Sequence, residues 1–317
     1  MYIGIDLGGT NIAAGCVGGD GKILSKSSMP TLKGRSYKEI VKDMATLCER
    51  VTRGAGLCMS DIKAIGIGSP GTVDSENGVV VYAGNLRFKK APVAAEIKKY
   101  FDLPVYMEND ANAAAYGEYI VCGHDADSFV FITLGTGVGG GIIINKKIYR
   151  GFNSAGAEIG HICMEMNGIE CTCGRRGCFE RYASVTALRE QTSEMMKKHP
   201  ESSMNKWVKR KGHVSGRTAF ECAKAGDEAA VEVKNNYIRY IAEGITNIVN
   251  IFQPEILVIG GGISKEGDVL LEPIKEFVYK YDFNKYMPKT DIRIAKLFND
   301  AGIVGAAMAA KSNIERH

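Results

Sequence analysis

Alternating and short apolar runs, closed by glycine-rich turns, open this chain. Tyr2 to Leu24 reads as strand, glycine-rich turn, strand, polar turn, strand, with Asp6-Leu7-Gly8-Gly9-Thr10 at the first turn and Gly18-Gly19-Asp20-Gly21 at the second. Phe129 to Ile148 repeats the plan, with Thr133-Leu134-Gly135-Thr136-Gly137 at its first turn and Asn145-Lys146-Lys147 at its second. Each hairpin opens a stretch of alternating strands and helices. The pattern predicts an α/β protein with two related lobes facing each other and a ligand between them. Between the hairpins it predicts a helix near Tyr37 to Cys58, strands at Ala64 to Gly68 and Pro104 to Met107, and a helix starting near Asp110. Further on it turns helical from Thr186 to Lys198 and from Asp227 to Phe252, and the strand Ile256 to Ile259 runs into Gly260-Gly261-Gly262. The polar segment from Lys197 to Lys211, which holds Trp207, shows no clear period and reads as a surface excursion.

At 317 residues the chain exceeds the size at which a single core stops growing, so two domains are expected. The formal charge of +4 is small for this length and the basic residues are dispersed, which gives nucleic acid and membrane surfaces no compositional support. The N-terminus MYIGIDLGG carries an acid at position 6 and no basic region before an apolar stretch, so it does not read as a signal peptide. The apolar runs VFITL, GIIIN and EILVIGG are strand-length, far short of the ~18 residues of a membrane span. A cytoplasmic location is expected. The nine cysteines form no disulfide framework, and Cys16, Cys48, Cys58, Cys122, Cys163 and Cys222 sit in contexts that predict buried reduced thiols.

The remaining three cysteines form the most specific feature. His161 is followed by Cys171-Thr172-Cys173 and Cys178, flanked by Glu158 and Glu180. One imidazole and three thiolates fill a tetrahedral structural zinc site and leave no open position for water. Gly174 and Gly177 let the backbone fold tightly enough for Cys173 and Cys178 to converge, and Arg175 and Arg176 partly offset the thiolate charge. Closing such a site draws Glu158 and Glu180 into one region, where they can accept hydrogen bonds from a polyol.

Two glycine runs, Gly66 to Gly71 and Gly135 to Gly140, match G-x-G-x-x-G, but a dinucleotide fingerprint must open a helix at its last glycine. The first runs into the turn-rich Thr72 to Gly78 and the second into the strand Ile142-Ile143-Ile144. A Rossmann dehydrogenase has no support, and no P-loop motif is present. What remains is a pair of glycine hairpins whose bare amides can approach an anion closely.

Together these residues amount to a resemblance. Asp6-Leu7-Gly8-Gly9-Thr10-Asn11, Glu108-Asn109-Asp110-Ala111-Asn112, Leu134 to Gly141, Ala157-Glu158-Ile159-Gly160-His161, the cysteine cluster with Glu180, Ile259 to Gly262 and Asn299 to Gly302 occur in the order seen in the ROK family of sugar kinases and repressors. The likeness is greatest to its glucokinases. It implies the two-lobed actin-like ATPase (sugar kinase/Hsp70/actin) fold, each lobe a mixed sheet with helices and a ligand cleft between lobes. Residues 1–118 with 301–317 form the small lobe in this reading, and 119–300 form the large lobe with the zinc cluster.

The resemblance further implies ATP-dependent phosphorylation of a hexose, glucose first, at its 6-hydroxyl. Asp110 is then the general base, in competition with a plain N-cap role for an Asp at a helix start. Gly8, Gly9 and Thr10, with Asn11, and Gly135, Thr136 and Gly137 are the two phosphate turns; Asp6 orients Mg²⁺ through water. Gly260, Gly261 and Gly262, with Ala301-Gly302, form the adenosine slot. Gly71, Asn85, Asn109, Asp110, Glu158, His161 and Glu180 bind the sugar, and His161 also joins Cys171, Cys173 and Cys178 on zinc. A homo-oligomer, dimer or tetramer, is expected.

Three positions depart from or refine the family pattern. Asn11 stands where many members carry lysine, Gly84 to Phe88 replaces the usual stretch around Asn85, and Thr72 stands where N-acetylmannosamine kinases carry arginine. The last favours an unsubstituted hexose; fructose, allose, mannose, N-acetylmannosamine and N-acetylglucosamine stand as alternatives to glucose. Two other classes compete: a sugar-sensing regulator, whose DNA-binding module would precede the hairpin that here begins at Tyr2, and an actin-like ATPase or scaffold with no sugar substrate.

Overall fold

The first strand, β1 (Tyr2–Leu7), is buried almost throughout, as a central strand covered on both faces must be. The structure, a computed structural model, describes residues 1–32, 34–123 and 125–315. β1 pairs antiparallel with β2 (Asn11–Val17), which pairs with β3 (Ile23–Pro30), as the opening hairpin predicted. Then come α1 (Tyr37–Gly54) and β4 (Ala64–Ser69), followed by three short strands, β5 (Thr72–Asp74), β6 (Val79–Ala83) and β7 (Phe88–Ala91), that form their own antiparallel sheet. The turn-rich reading of 72–78 is corrected in part: all three residues of β5 pair with β6, and residues 75–78 form the turn. A short α2 (Val93–Ile97) leads to β8 (Val105–Asn109) and α3 (Asp110–Cys122). The first sheet has the order β3-β2-β1-β4-β8, with β1, β4 and β8 parallel.

The second hairpin is β9 (Ser128–Leu134) and β10 (Val138–Ile144), extended by β11 (Lys147–Ile148). Further along lie α4 (Glu180–Ala183), α5 (Val185–Lys198), α6 (Ser203–Lys211), α7 (Thr218–Lys224), α8 (Glu228–Phe252), β12 (Ile256–Gly260), α9 (Asp268–Tyr281) and β13 (Asp291–Ile294). The second five-stranded sheet has the order β11-β10-β9-β12-β13. The predicted surface excursion over 197–211 is largely the helix α6, capped by Ser202 and stopped by Gly212 at φ 82°, a left-handed position that suits glycine. The helix predicted to run to Cys58 ends at Gly54, and Cys58 and Cys163 are exposed rather than buried; Cys16, Cys48, Cys122 and Cys222 are buried.

Contacts group the chain into two compact units, Met1–Phe131 with Gly141–Ala157 and Lys296–His317, and Ile132–Gly140 with Glu158–Ala295. Residues 119–131, 141–157 and 296–300 thus group with the N-terminal unit, not with the large lobe drawn from the sequence. Side-chain bonds account for part of this, since Glu118 on α3 accepts the amides of Lys296, Leu297 and Phe298, and Glu108 on β8 pairs with Arg150. Residues 316 and 317 of the expected small lobe lie outside the described residues.

In the first unit Ile3, Ile5 and Leu7 pack with Met44, Leu47 and Val51 of α1 and with Ile65, Ile67 and Met107 in one apolar cluster. The C-terminal helix Ala301–Ile314 is buried on every side over its first ten residues. Its close approach is set by glycines: a Cβ on Gly66 would stand 1.8 Å from the Ala306 carbonyl oxygen, and one on Gly305 would stand 1.6 Å from that of Ala113. In the second unit Phe220 packs edge-on to Tyr237, whose hydroxyl donates to the Ala183 carbonyl at 2.9 Å. No helix among the described residues is long and apolar enough to cross a membrane.

Candidate active site and metal cluster

The parallel strands β4 and β8 pair up to Ser69 and Asn109, and the polar residues gather at their carboxyl ends. Asn109 leaves the strand with extended backbone and caps α3, its Oδ1 accepting the amides of Ala111 and Asn112 at 2.9 and 3.1 Å. Its Nδ2 donates to the Gly71 carbonyl at 3.1 Å. Gly71 is at φ 87°, and a Cβ there would meet the Tyr82 carbonyl oxygen at 2.1 Å, so only glycine fits. The N-cap role that competed for Asp110 therefore belongs to Asn109. Asp110 is the first helical residue, and its Oδ1 accepts the Ala111 amide at 2.8 Å. Burial pushes the Asp110 carboxyl up, against that amide. Asp6, near the end of β1, is pushed up to about 6, by burial first and then by the charge of Asp110.

After β1 the chain turns over Gly8, Gly9 and Thr10, and the Gly8 amide donates to the Asn11 carbonyl at 2.9 Å. The Thr31 hydroxyl donates to the Gly8 carbonyl at 2.6 Å, which ties the turn to β3's end. Thr10 and Asn11 are exposed. The Asn85 amide lies over Gly9, 3.0 Å from where a Cβ would be. Gly302 lies against the Asp6 carboxyl and Ala301 is buried, so their part in the expected adenosine slot is limited to backbone.

In the second unit the hairpin tip Gly135-Thr136-Gly137 is anchored on the start of α5: the Gly135 carbonyl accepts from the Val185 amide at 2.8 Å and that of Thr136 from the Thr186 hydroxyl at 2.7 Å. Gly261, at φ 87°, fits against Leu134 so closely that a Cβ would stand 2.2 Å from its carbonyl oxygen. The turn through Gly260, Gly261 and Gly262 thus lies beside the hairpin tip. Next to Gly262 opens a cavity of about 490 Å³ lined by Val185, Arg217, Lys224, Ile263, Lys265 and Glu266. These lining cations were not singled out from sequence, because they are scattered over 49 positions with no motif between them.

The His161, Cys171, Cys173 and Cys178 donor atoms all lie within 4.8 Å of one another. His161 Nδ1 is 3.7 Å from the Cys171 sulfur, and the sulfurs of Cys173 and Cys178 are 3.6 Å apart. Metal bonds of ~2.0–2.3 Å set on a tetrahedron give donor–donor edges of roughly 3.5–3.8 Å, so the donor set fits a zinc ion. Gly174 and Gly177 take φ 89° and 75°, and a Cβ on Gly177 would overlap the Glu165 carbonyl oxygen, as the expected tight fold requires. The Arg175 guanidinium donates to the His161 carbonyl at 3.3 Å. The other imidazole nitrogen, Nε2, faces the exposed Glu158 carboxylate at 4.0 Å. Glu180 Oε1 is 3.1 Å from the Cys171 sulfur, and its other oxygen stands 2.6 Å from where a Gly137 Cβ would be. Glu180 therefore links the cysteine cluster to the glycine hairpin.

Residues 2–313 match the ROK family, and the chain belongs to that family. It is 36% identical over 314 residues to the glucokinase of Thermotoga maritima, covering 98% of both chains. It is 37% identical over 316 residues to the glucokinase of Streptomyces coelicolor, again covering 98% of both. The crystal structure of a ROK family glucokinase from Streptomyces griseus in complex with glucose and AMPPNP superposes with a TM-score of 0.82 at 34% identity, over 98% of this chain and 99% of that one. The fold is the two-lobed actin-like ATPase fold of the ROK sugar kinases.

Proposed function

We propose that this protein is an ATP:hexose 6-phosphotransferase whose substrate is glucose. The observation that carries the reading is Asp110: it stands at the carboxyl end of a parallel strand, is relieved of capping by Asn109, and has a carboxyl raised by burial. Such a carboxylate can take the proton of the 6-hydroxyl as that oxygen attacks the γ-phosphorus and the β,γ-bridging oxygen leaves with ADP. Likeness to glucokinases along the whole chain supports the substrate class.

The remaining roles follow the chemistry of each turn. The turns of Gly8, Gly9, Thr10 and Asn11 and of Gly135, Thr136 and Gly137 bind the phosphates, the Gly8 and Gly135 amides closing the turns on the Asn11 and Gly137 carbonyls at 2.9 and 3.0 Å. Gly260, Gly261 and Gly262, beside the cavity with Arg217, Lys224 and Lys265, take the adenosine end. Asp6 would hold Mg²⁺ through water, and when bound the ion neutralises charge on the transferring phosphoryl group. Gly71, Asn85, Asn109, Glu158, His161 and Glu180 bind sugar hydroxyls, Asn109 and Gly71 as one hydrogen-bonded unit. His161, Cys171, Cys173 and Cys178 would hold a structural zinc, which supplies a fixed cross-link of the loop. His161 Nε2, directed away from the thiols, is left to donate to a hydroxyl.

We also propose a cytoplasmic homo-oligomer, testable by light scattering on the purified protein. A coupled ADP-release screen over glucose, mannose, fructose, allose, N-acetylglucosamine and N-acetylmannosamine tests the function. Glucose should give the highest kcat/KM. Failure of every hexose to stimulate ADP release refutes the reading.

A further inference from the structure

We propose that Arg150 is a positioning residue for the base, acting through the buried carboxylate of Glu108. This rests on the kinase reading of Asp110. Glu108, the residue before Asn109 on β8, is only 3% exposed, yet its carboxylate receives four N–H groups. Oε1 accepts the Asn109 amide at 3.0 Å and the Asn112 side-chain amide at 3.2 Å. These two bonds fall on either side of Asp110 in sequence, so one carboxylate grips the strand end and the first helical turn between which the base sits. Oε2 takes the fork of Arg150, Nε at 2.8 Å and Nη2 beside it.

A carboxylate this far from water is tolerated when it is paired and fully hydrogen-bonded. The Arg150 guanidinium is the ion-pair partner that Glu108 has in the structure. Its backbone is also held: the Arg150 carbonyl accepts the Gly156 amide at 2.8 Å, and a Cβ on Gly156 would stand 2.9 Å from that same carbonyl. The guanidinium is therefore presented from a closed loop rather than from a free end. Removing it leaves Glu108 with a buried charge, and the carboxylate turns toward water, releasing Asn109 and Asn112 together. Asp110 then keeps its chemistry but loses its aim, and a misplacement of about 1 Å at a reacting group costs ~10²-fold in rate.

The test uses the full-length enzyme. Arg150→Met should lower kcat ~10–100-fold while the KM for ATP stays within about twofold. Arg150→Lys should recover part of the loss, because an ammonium supplies the charge without the fork. Arg150→Met with Glu108→Leu removes both charges, so its melting temperature should return toward wild type while kcat stays low. In an Asp110→Asn background, adding Arg150→Met should change the residual turnover by less than about twofold, since both act through one group. Wild-type kcat in folded Arg150→Met, or an undiminished further loss in the Asp110→Asn background, overturns the inference and leaves the kinase reading intact. Wild-type protein that releases no ADP with any hexose overturns both.

Discussion

Replacing Asp110 by Asn separates chemistry from architecture at this site. The helix cap survives the change, because Asn109 accepts the Ala111 and Asn112 amides. What is lost is one negative charge in the first turn of α3, ~0.3–1 kcal/mol of favourable interaction with the helix dipole. Burial opposes that charge, as the raised carboxyl of Asp110 shows, so the two effects offset. At ~2–4 °C per kcal/mol the melting temperature should move by no more than ~3 °C. The rate should respond very differently. Loss of a general base lowers kcat by ~10²–10⁴, about 3–5.5 kcal/mol of barrier. Asn109→Ala is the mirror image: it removes the cap and the bond to Gly71. Those losses are worth ~2–3 kcal/mol together, so this variant should melt ~4–12 °C lower. Thermal melts, calorimetric titration of glucose and of an ATP analogue, and coupled ADP release on the two variants make the comparison. A folded, ligand-binding Asp110→Asn protein with retained kcat would refute the general-base assignment.

Elemental analysis should find one zinc per chain, lost in Cys173→Ser together with melting temperature and glucose affinity; metal-free protein of full stability and activity would exclude a structural metal. Glu158→Gln should raise the glucose KM ~10–100-fold with little change for ATP, the ~1.5–3 kcal/mol of a hydrogen bond to a charged acceptor. Glu180→Gln should affect both substrates, because Glu180 also packs against Gly137, and an effect confined to glucose would contradict that geometry. Gly305→Ala should destabilise by ~3 kcal/mol or more, since its Cβ cannot coexist with the Ala113 carbonyl; a wild-type melting curve would show that the helices have more room than described. For Asp6, raised from 3.8 to about 6, the native state binds the extra proton, so its contribution to stability is fully present below pH ~4 and is lost as pH rises through ~6. With chelator present, Asp6→Asn should therefore gain ~2–3 kcal/mol relative to wild type between pH 4 and 7 in denaturant titrations, and a pH-independent difference would contradict the shift.

The two glycine hairpins could be read from the chain because each is a local object: period-2 alternation and a glycine turn specify β1–β2 and β9–β10 within a few residues. The cysteine cluster was readable for a similar reason, its four ligands lying in one short stretch with glycines at the positions that need positive φ. Local signals failed where elements are short or polar. The sheet of β5, β6 and β7 has strands of three to five residues, with a polar turn between β5 and β6, too brief for alternation to register. Helix α6 is mostly polar and buries only Met204 among its residues, so its period is faint.

Sequence by itself determined the family order of motifs, the paired hairpins, the donor set of the cluster and the strand-to-helix placement of Asp110. Tertiary structure alone decided which side chain caps α3, that Glu180 touches both Cys171 and Gly137, and that Arg150 reaches Glu108 across 42 positions of chain. Turn and strand preferences come from steric and hydrogen-bonding constraints within a few residues, which the local sequence carries in full. Pairings between distant residues exist only once glycines such as Gly66 and Gly305 let helices and strands close to backbone contact, and that closeness is a property of the packed fold.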